Sequence, residues 1–304
     1  MGMDSLFDRA LAAARYLGAS DIHLKPGLEP ILRINGELRT LDNQRERVPL
    51  TNDFLHNLAM SLLNDRRRDI LERHGDVTVV LTTSAGTRHR VHVSQYRGGM
   101  TISLHLVPPT APALDSLGLP PGVRELVGPG AGLALVAAGP GGGKTTTLAS
   151  LVDEITIHRP VRVVTVEDPV EIMLKDQVRG GVVVQREVGL DVPTIAAGLR
   201  ASARQDVDVL VASEIVDRDA ADLALTAAET GRLVLAGVTA ASPTAAVARL
   251  VGFWDAESRA ATRTRIAAVL RGVLHQRLVP ATGGKKGLTA EGEIAAGAAA
   301  VAHR

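Results

Sequence analysis

Residues 131–152 read AGLALVAAGPGGGKTTTLASLV, and this stretch decides the fold. An apolar run from Leu133 to Ala138 is long enough for one buried strand, and a glycine-rich turn follows it. Beyond the turn, apolar residues recur at i, i+3, i+4 and i+7, which predicts one buried face of a helix. The members of that face are Leu148, Leu151, Val152 and Ile155.

The turn has the chemistry of a phosphate cradle. Glycines let several backbone N–H groups point at one anion, and the N-terminus of the following helix adds partial positive charge. Lys144 would reach the β- and γ-phosphates of a nucleotide, and the hydroxyl of Thr145 would hold Mg²⁺. The candidate binding residues are Gly139, Pro140, Gly141, Gly142, Gly143, Lys144, Thr145 and Thr146. The alternative, a glycine turn with a chance lysine, explains less because strand, glycines, Lys-Thr pair and helix all agree.

The loop departs from the usual spacing G-x-x-x-x-G-K-[ST]. Counting back from Lys144 places Ala138 at the first glycine position. Alternatively Gly139 is that glycine, and the loop is one residue short. The first reading adds a Cβ at a tight turn, with strain of about 1–3 kcal/mol if φ must be positive. The second moves a backbone donor away from the phosphates, and the residues alone leave both readings open.

Composition narrows the class of protein. A chain of 304 residues with 45% apolar and 2% aromatic residues can bury one large core or two ordinary ones, packed from Ala, Val and Leu. With 34 basic and 33 acidic residues, nothing favours nucleic acid as a partner. The absence of cysteine excludes disulfides and thiolate metal sites. Without a signal-peptide layout or an apolar run of about 18 residues, we expect a cytoplasmic protein with at most peripheral membrane contact.

Residues 1–106 predict a small α+β domain with an antiparallel sheet. The pair Asn35-Gly36 is a strong hairpin signal between two short apolar segments. The predicted elements are a helix over 4–17, a helical region over 51–74, and strands over 76–83 and 87–107. His89 and His92 are three apart and would face opposite sides of a strand, which argues against a metal chelate there.

Three arginines, Arg88, Arg90 and Arg97, lie on or near the predicted strand 88–97. By themselves they are best interpreted as a solvated, charged strand face. Residues 107–122 hold five of the 15 prolines, which predicts a linker before a second domain at 123–304.

In that second domain, strand-like runs alternate with helix-like ones, which predicts a parallel sheet with both faces covered. The predicted strands are 133–138, 161–166, 182–185, 208–212 and 233–239, and the predicted helices are 144–157, 193–203, 217–230, 243–251 and 258–276. Glu167 and Glu214 each follow a strand. Because a site on a parallel sheet lies at the strands' carboxyl ends, either glutamate could orient or deprotonate a water near a γ-phosphate.

Several long segments resemble one family, the type II/type IV secretion ATPases, and within it the pilus-retraction (PilT-like) branch. The matching segments are GASDIHLKPGLEPILRINGELRTL at 18–41, VVTVEDPVE at 163–171, VVVQREVGLDVPTIAAGLRASARQDVDVLVASEIVD at 182–217 and LALTAAETGRLVL at 223–235. The resemblance implies an α/β fold, with a smaller PAS-like α+β domain before a RecA-like P-loop domain. It also implies a cytoplasmic hexameric motor, peripheral at the inner membrane, that hydrolyses ATP with Mg²⁺ and acts on a membrane platform protein of the pilus.

The resemblance also implies roles for the candidate residues. Lys144 and Thr145 would bind the phosphates and Mg²⁺, and either Glu167 or Glu214 would activate the attacking water. The arginines on the predicted strand, Arg88, Arg90 and Arg97, fall where the family carries arginines that act on the neighbouring subunit's nucleotide. On this interpretation the charged strand face is catalytic.

Departures from the family pattern leave a second hypothesis open. Where the family usually has glycine, arginine and two histidines, the chain has Ser213, Val216, Arg232 and Thr239, and His105 replaces an arginine before the linker. A divergent accessory or regulatory paralogue that binds nucleotide and turns it over poorly would fit these changes. A third hypothesis, a small-molecule kinase on the same loop, does not explain the N-terminal domain.

Overall fold

The computed structural model describes residues 3–41, 49–83, 88–176, 180–280 and 288–296. The chain divides into two compact units, with the boundary between Pro109 and Thr110. The proline-rich segment 107–122 spans this boundary and contains a short 3₁₀ turn, Leu114–Leu117. The side chain of Leu114 is buried in an apolar cluster of the second unit.

The first unit is built on a six-stranded sheet with the strand order β3-β2-β1-β6-β5-β4. All of its pairings are antiparallel, as the sequence predicted. Its elements are α1 (Met3–Tyr16), β1 (Asp21–Leu24), β2 (Ile31–Ile34), β3 (Glu37–Thr40), α2 (Asn52–Leu62), α3 (Asp65–His74), β4 (Asp76–Thr82), β5 (Arg88–Tyr96) and β6 (Gly99–Leu106).

One face of this sheet is apolar and packs in a core, and the other face is polar. Side chains such as Ile22, Val91 and Leu104 are buried. Their strand neighbours point the other way because successive side chains on a strand alternate. Arg90 lies opposite His105, and His105 lies opposite Asp21, so the polar face carries a row of ionisable side chains across three strands.

Two segments of the first unit differ from the prediction. The helical region 51–74 is two helices, because Leu63 is extended and Asn64 starts a new helix by accepting a hydrogen bond from the Arg67 N–H. The predicted strand 87–107 is a hairpin, and its turn residues Arg97 and Gly98 both have positive φ, 41° and 78°. Arg97 therefore lies in the turn after β5, beyond the end of the strand.

The second unit contains a seven-stranded sheet with the strand order β13-β12-β7-β11-β10-β8-β9. The pairings from β12 across to β9 are parallel, which confirms the predicted sheet type. Its elements are α4 (Val123–Leu126), β7 (Gly132–Ala138), α5 (Lys144–His158), β8 (Arg162–Glu167), β9 (Val182–Glu187), α6 (Ile195–Ser202), β10 (Val209–Ala212), α7 (Arg218–Glu229), β11 (Leu233–Thr239), α8 (Pro243–Gly252), α9 (Arg259–Val269), β12 (Leu270–Pro280) and β13 (Leu288–Ala296).

The predicted helix 258–276 was wrong over its last seven residues, 270–276. Helix α9 ends at Val269, and the chain turns extended at Leu270 to form β12 beside β7. A strand with both faces covered lacks the alternation of polar and apolar residues. Leu270, Val273 and Leu274 are all buried and have helical spacing, so the pattern could not separate strand from helix.

Across the ranges that the structure describes, no helix is long and apolar enough to cross a membrane.

Candidate functional site

The glycine loop runs from the end of β7 to the start of α5. Gly141 and Gly143 have φ of 67° and 86°, a region that favours glycine. A Cβ on Gly142 would lie 2.7 Å from the Ala138 Cβ, so the two positions cannot both carry side chains. Ala138 itself is the last residue of a regular strand and is not among the described non-glycine residues with positive φ. If Ala138 stands at the first glycine position of the loop pattern, it therefore does so without the strain of a positive φ.

The start of α5 is open to an anion. Its N-cap is Gly143, which offers no side-chain hydrogen bond to the first helical amides. The orphan N–H groups of a helix N-terminus attract negative charge, and glycines beside them let a phosphate approach the backbone closely. The loop, Lys144 and Thr145 therefore fit the phosphates of a nucleotide.

Lys144 meets Thr239 and Glu214 at the carboxyl end of the sheet. Its ammonium lies 3.0 Å from the Thr239 hydroxyl and 3.8 Å from a Glu214 carboxylate oxygen. The Thr239 hydroxyl also donates a short hydrogen bond to the other oxygen of Glu214. The three residues come from α5, the end of β11 and the segment after β10, so neighbouring parallel strands bring them together.

The backbone around Glu214 is fixed by a close approach to β11. The Ile215 N–H donates to the Gly237 carbonyl at 2.9 Å. A Cβ on Gly237 would lie 2.1 Å from the Ser213 carbonyl oxygen, so this position of β11 accepts only glycine. The segment that carries Glu214 is thus held against the strand that carries Thr239.

Glu167 occupies a different environment at the end of β8. It is 8% exposed, and one of its oxygens accepts hydrogen bonds from Thr165 at 2.6 Å and from Gln185 at 2.9 Å. Burial raises its pKa above the ordinary value, and the nearby carboxylates of Glu171 and Glu187 act in the same direction, against the two hydrogen bonds. With Thr145, Glu167 lines a small cavity beneath the start of α5.

Comparison with known proteins identifies the family. A model described as "Type II/IV secretion system protein" matches residues 3–299. The chain belongs to this family. It is 31% identical over 291 residues to the type IV pilus retraction ATPase PilT of Pseudomonas aeruginosa, covering 96% of this chain and 82% of that one. It is also 36% identical over 259 residues to the uncharacterized protein YggR of Escherichia coli, covering 85% and 77%.

Solved structures agree with these sequence relatives. The crystal structure of the pilus retraction motor PilT with bound ADP has a TM-score of 0.79 and 35% identity, covering 93% of this chain and 81% of that one. The ATPase DotB of Legionella pneumophila has a TM-score of 0.78 and 26% identity, covering 95% and 80%. The predicted PilT-like branch and mixed α/β fold are thereby confirmed, and the PAS-like character of the first unit stays a prediction.

Within this secretion-family chain, the structure brings only some of the predicted residues together. Lys144 and Glu214 are in contact, and Thr145 and Glu167 line one cavity. Arg88 and Arg90 lie on β5, and Arg97 lies in the turn that follows, all in the first unit. The action of these three arginines on a nucleotide stays a prediction.

The strand histidines next to those arginines are separated as predicted. His89 lies on the buried face of the first sheet and is 1% exposed. The ring of His92 hydrogen-bonds Thr78 on the other face.

Two residues at the site were missed or misjudged from the sequence. Thr239 was noted only as a departure from the family's histidine, yet it contacts both Lys144 and Glu214. Gln276 was placed on a helix, and it lies on β12 with its amide against the glycine loop. Neither residue has a sequence neighbour that would indicate its partner, so only the strand order could have revealed them.

No group of three or more His, Asp or Glu residues in the described ranges could hold a metal ion by itself. Such a group is not required for Mg²⁺ at a nucleotide, because this ion keeps several waters and takes oxygens from the phosphates. The Thr145 hydroxyl, in the first turn of α5, stays the predicted protein ligand for this ion.

Proposed function

We propose that this protein is an ATPase of the type IV pilus machinery, of the retraction type, that works as a homo-hexamer on the cytoplasmic side of the inner membrane. The observation that carries the proposal is the contact of Lys144, Thr239 and Glu214 beside a glycine loop open to an anion. The similarity to PilT, which is described as a pilus retraction ATPase, supports the choice of substrate and machinery.

The residues would divide the work as follows. Backbone amides of residues 139–145 and the Lys144 ammonium hold the phosphates of ATP, and Thr145 holds Mg²⁺. A Mg²⁺ ion held there would supply positive charge to offset the charge of the phosphates. A carboxylate orients the attacking water and accepts its proton, and we assign this role to Glu214, a choice that its contact with Lys144 supports. Glu167, whose pKa burial raises, is the alternative base.

The proposal extends to the assembly. Arg88, Arg90 and Arg97 would reach the nucleotide of the neighbouring subunit and neutralise transition-state charge. The PAS-like domain at 1–106 would move relative to the RecA-like domain at 123–304 during turnover, with 107–122 as the linker. This motion would act on an inner-membrane platform protein and so dismantle the pilus.

The test begins with binding. Calorimetry with Mg²⁺ and ADP or ATP should detect a site on the wild-type chain, and Lys144→Ala should abolish it because the variant removes the cation from the loop. A wild-type affinity in Lys144→Ala would contradict the role of the loop. Phosphate release should then fall by orders of magnitude in Glu214→Gln while ATP stays bound. Undiminished turnover would assign the base to Glu167.

A second function, that of a nucleotide-binding accessory subunit with little turnover, is favoured by one observation. Val216 is 55% exposed at the position where the family has an arginine, two residues beyond Glu214. The chain therefore lacks, at this position, a charged side chain that could link the segment carrying Glu214 to a neighbouring subunit. High turnover in a six-fold particle supports the motor, and tight binding with negligible turnover supports the accessory subunit.

A further inference from the structure

One amide side chain, that of Gln276, hydrogen-bonds the junction between the glycine loop and α5. Gln276 lies on β12 just beyond His275, which pairs with Ala137 of β7. The side chain is 1% exposed, and both ends of its amide are used. Its Nε2 donates to the Gly142 carbonyl at 2.7 Å, and its Oε1 accepts from the Thr147 hydroxyl at 2.8 Å.

These two bonds bracket the junction between loop and helix. Gly142 lies just before the N-cap Gly143, and Thr147 is in the first turn of α5. The amide lies so close to this junction that a Cβ on Gly143 would be 2.9 Å from the Gln276 Nε2. The glycine at position 143 is therefore required twice, by its φ of 86° and by the contact with Gln276.

A loop of this composition needs such a restraint. Four of the five residues from 139 to 143 are glycine, the residue that loses the most conformational entropy when it is ordered. The hydrogen bond from the Gly142 N–H to the Gly139 carbonyl, at 3.1 Å, closes a turn inside the loop and does not tie it to the sheet. A bond from a buried strand residue fixes the loop before any ligand arrives, which lowers the entropic cost of binding.

We propose that Gln276 is a positioning residue for phosphate binding, and that it holds the amides of the glycine loop in their binding orientation in the nucleotide-free protein. On this proposal, Gln276 acts through its bonds to Gly142 and Thr147 and not by touching the nucleotide itself. The affinity part of this inference rests on the proposed function, whereas the order of the empty loop does not.

The test uses Gln276→Met, which keeps the length of the side chain and removes both hydrogen bonds. Thr147→Val removes one of them without changing shape. The matched control is Leu274→Ala, which opens a cavity on the same strand two residues away and leaves the amide in place. All three are measured on the full chain by hydrogen exchange of the peptide covering 139–147 and by calorimetry with Mg²⁺ and ADP.

We expect Gln276→Met to raise exchange in the empty loop and to weaken ADP binding about tenfold, the effect of leaving one or two buried polar groups without partners. Thr147→Val should give part of the effect. The double variant should lose less affinity than the sum of the two single variants, because both substitutions remove the same Thr147–Gln276 hydrogen bond. Leu274→Ala should lower the melting temperature with exchange at 139–147 and affinity unchanged.

Two results would overturn the inference. One is exchange and affinity in Gln276→Met within twofold of wild type. The other is an equal loss in Leu274→Ala, which would make the effect one of general stability. If the wild-type chain binds no nucleotide, the proposed function fails, and the exchange of the empty loop still decides the role of Gln276.

Discussion

Thr239 shows how one hydroxyl can link a cation and an acid. A threonine hydroxyl has one hydrogen to donate and lone pairs to accept with. Here it donates to Glu214 and accepts from the Lys144 ammonium, so both charged groups are oriented by the same atom. Lys144 and Glu214 are also 3.8 Å apart, which makes the three groups one unit.

We expect Thr239→Val to lower the turnover of ATP by roughly tenfold to a hundredfold, the range for leaving a partly buried polar pair without its bridging hydroxyl. Thr239→Ser keeps the hydroxyl and should retain most of the activity. Binding of ADP should change little in either variant. The measurement is phosphate release at saturating ATP, and equal rates in both variants would show that the hydroxyl plays no part.

Glu167 changes the free energy of unfolding with pH in the opposite direction to an ion-paired carboxylate. Burial raises its folded-state pKa above the ordinary 4.5, so the folded chain binds the proton more tightly than the unfolded chain. Stability is therefore lost as the pH rises from 4.5 through the folded-state pKa. Glu167→Gln removes this loss and can still accept from Thr165 and Gln185.

We accordingly expect Glu167→Gln to melt a few degrees higher than wild type at neutral pH, with the difference shrinking toward pH 4.5. Glu229 is the matched control, because its hydrogen bond with Arg265 lowers its pKa. Glu229→Gln should melt lower than wild type at neutral pH. The measurement is the melting temperature of each variant across this pH range. A change in the same direction for both variants at neutral pH would contradict the prediction.

At the scale of elements, His89 joins three parts of the first unit. It lies on β5, it is 1% exposed, and its Nε2 is 2.8 Å from an Arg15 nitrogen at the end of α1. The Val107 N–H, just after β6, donates to its Nδ1 at 3.3 Å. Burial, with the positive charge of Arg15 second, lowers the pKa of His89 from 6.5 to about 4.

The folded state disfavours the charged ring of His89. The contribution of the neutral ring to the free energy of unfolding is therefore complete above pH 6.5 and is lost as the pH falls toward 4. We expect the loss to reach roughly 2 kcal/mol and to be smaller in His89→Gln, which keeps an acceptor and does not titrate. Hydrogen exchange of α1 and β5 between pH 7 and 4.5 measures it. Equal acid sensitivity in both proteins would assign the effect to other groups.

The elements that the sequence predicted well are those with a single periodicity. β7 and α5 are a buried run and an amphipathic helix on either side of glycines, and the glycine punctuation separates them. The prediction of β12 failed because a strand buried on both faces carries no alternation of polar and apolar residues. The break at Asn64 was missed because residues 52–74 contain no glycine or proline to mark it. The loop, Lys144 and the two glutamates could be predicted as candidates because a glycine-rich turn and the ends of apolar strands are visible in the sequence; their catalytic roles stay predictions.

The rest of the site could not be found from sequence because its contacts join distant residues. Gln276 reaches Gly142 and Thr147 from β12, and Thr239 reaches Lys144 from β11. Such pairs depend on which strand lies beside which, and the order β12-β7-β11-β10 is a property of the folded sheet.

For the whole molecule, the proposed hexamer makes a prediction about mixed rings. Arg90→Ala subunits mixed in small proportion into wild type should depress turnover more than proportionally, because each altered subunit removes an arginine from its neighbour's site. Arg66→Ala, at an exposed position of α3, is the control and should leave turnover unchanged. Phosphate release is measured against the fraction of variant, and a strictly linear decline with Arg90→Ala would argue against action between subunits.

The close approach at Gly237 limits how far the backbone that carries Glu214 can move relative to β11. Because the Ser213 carbonyl lies against a position of β11 that has no room for a Cβ, the segment that carries Glu214 packs backbone to backbone against the strand that carries Thr239. On the proposed function, Glu214 and Thr239 would therefore keep their spacing when nucleotide binds, and any adjustment to the ligand would fall to side chains and not to this part of the backbone.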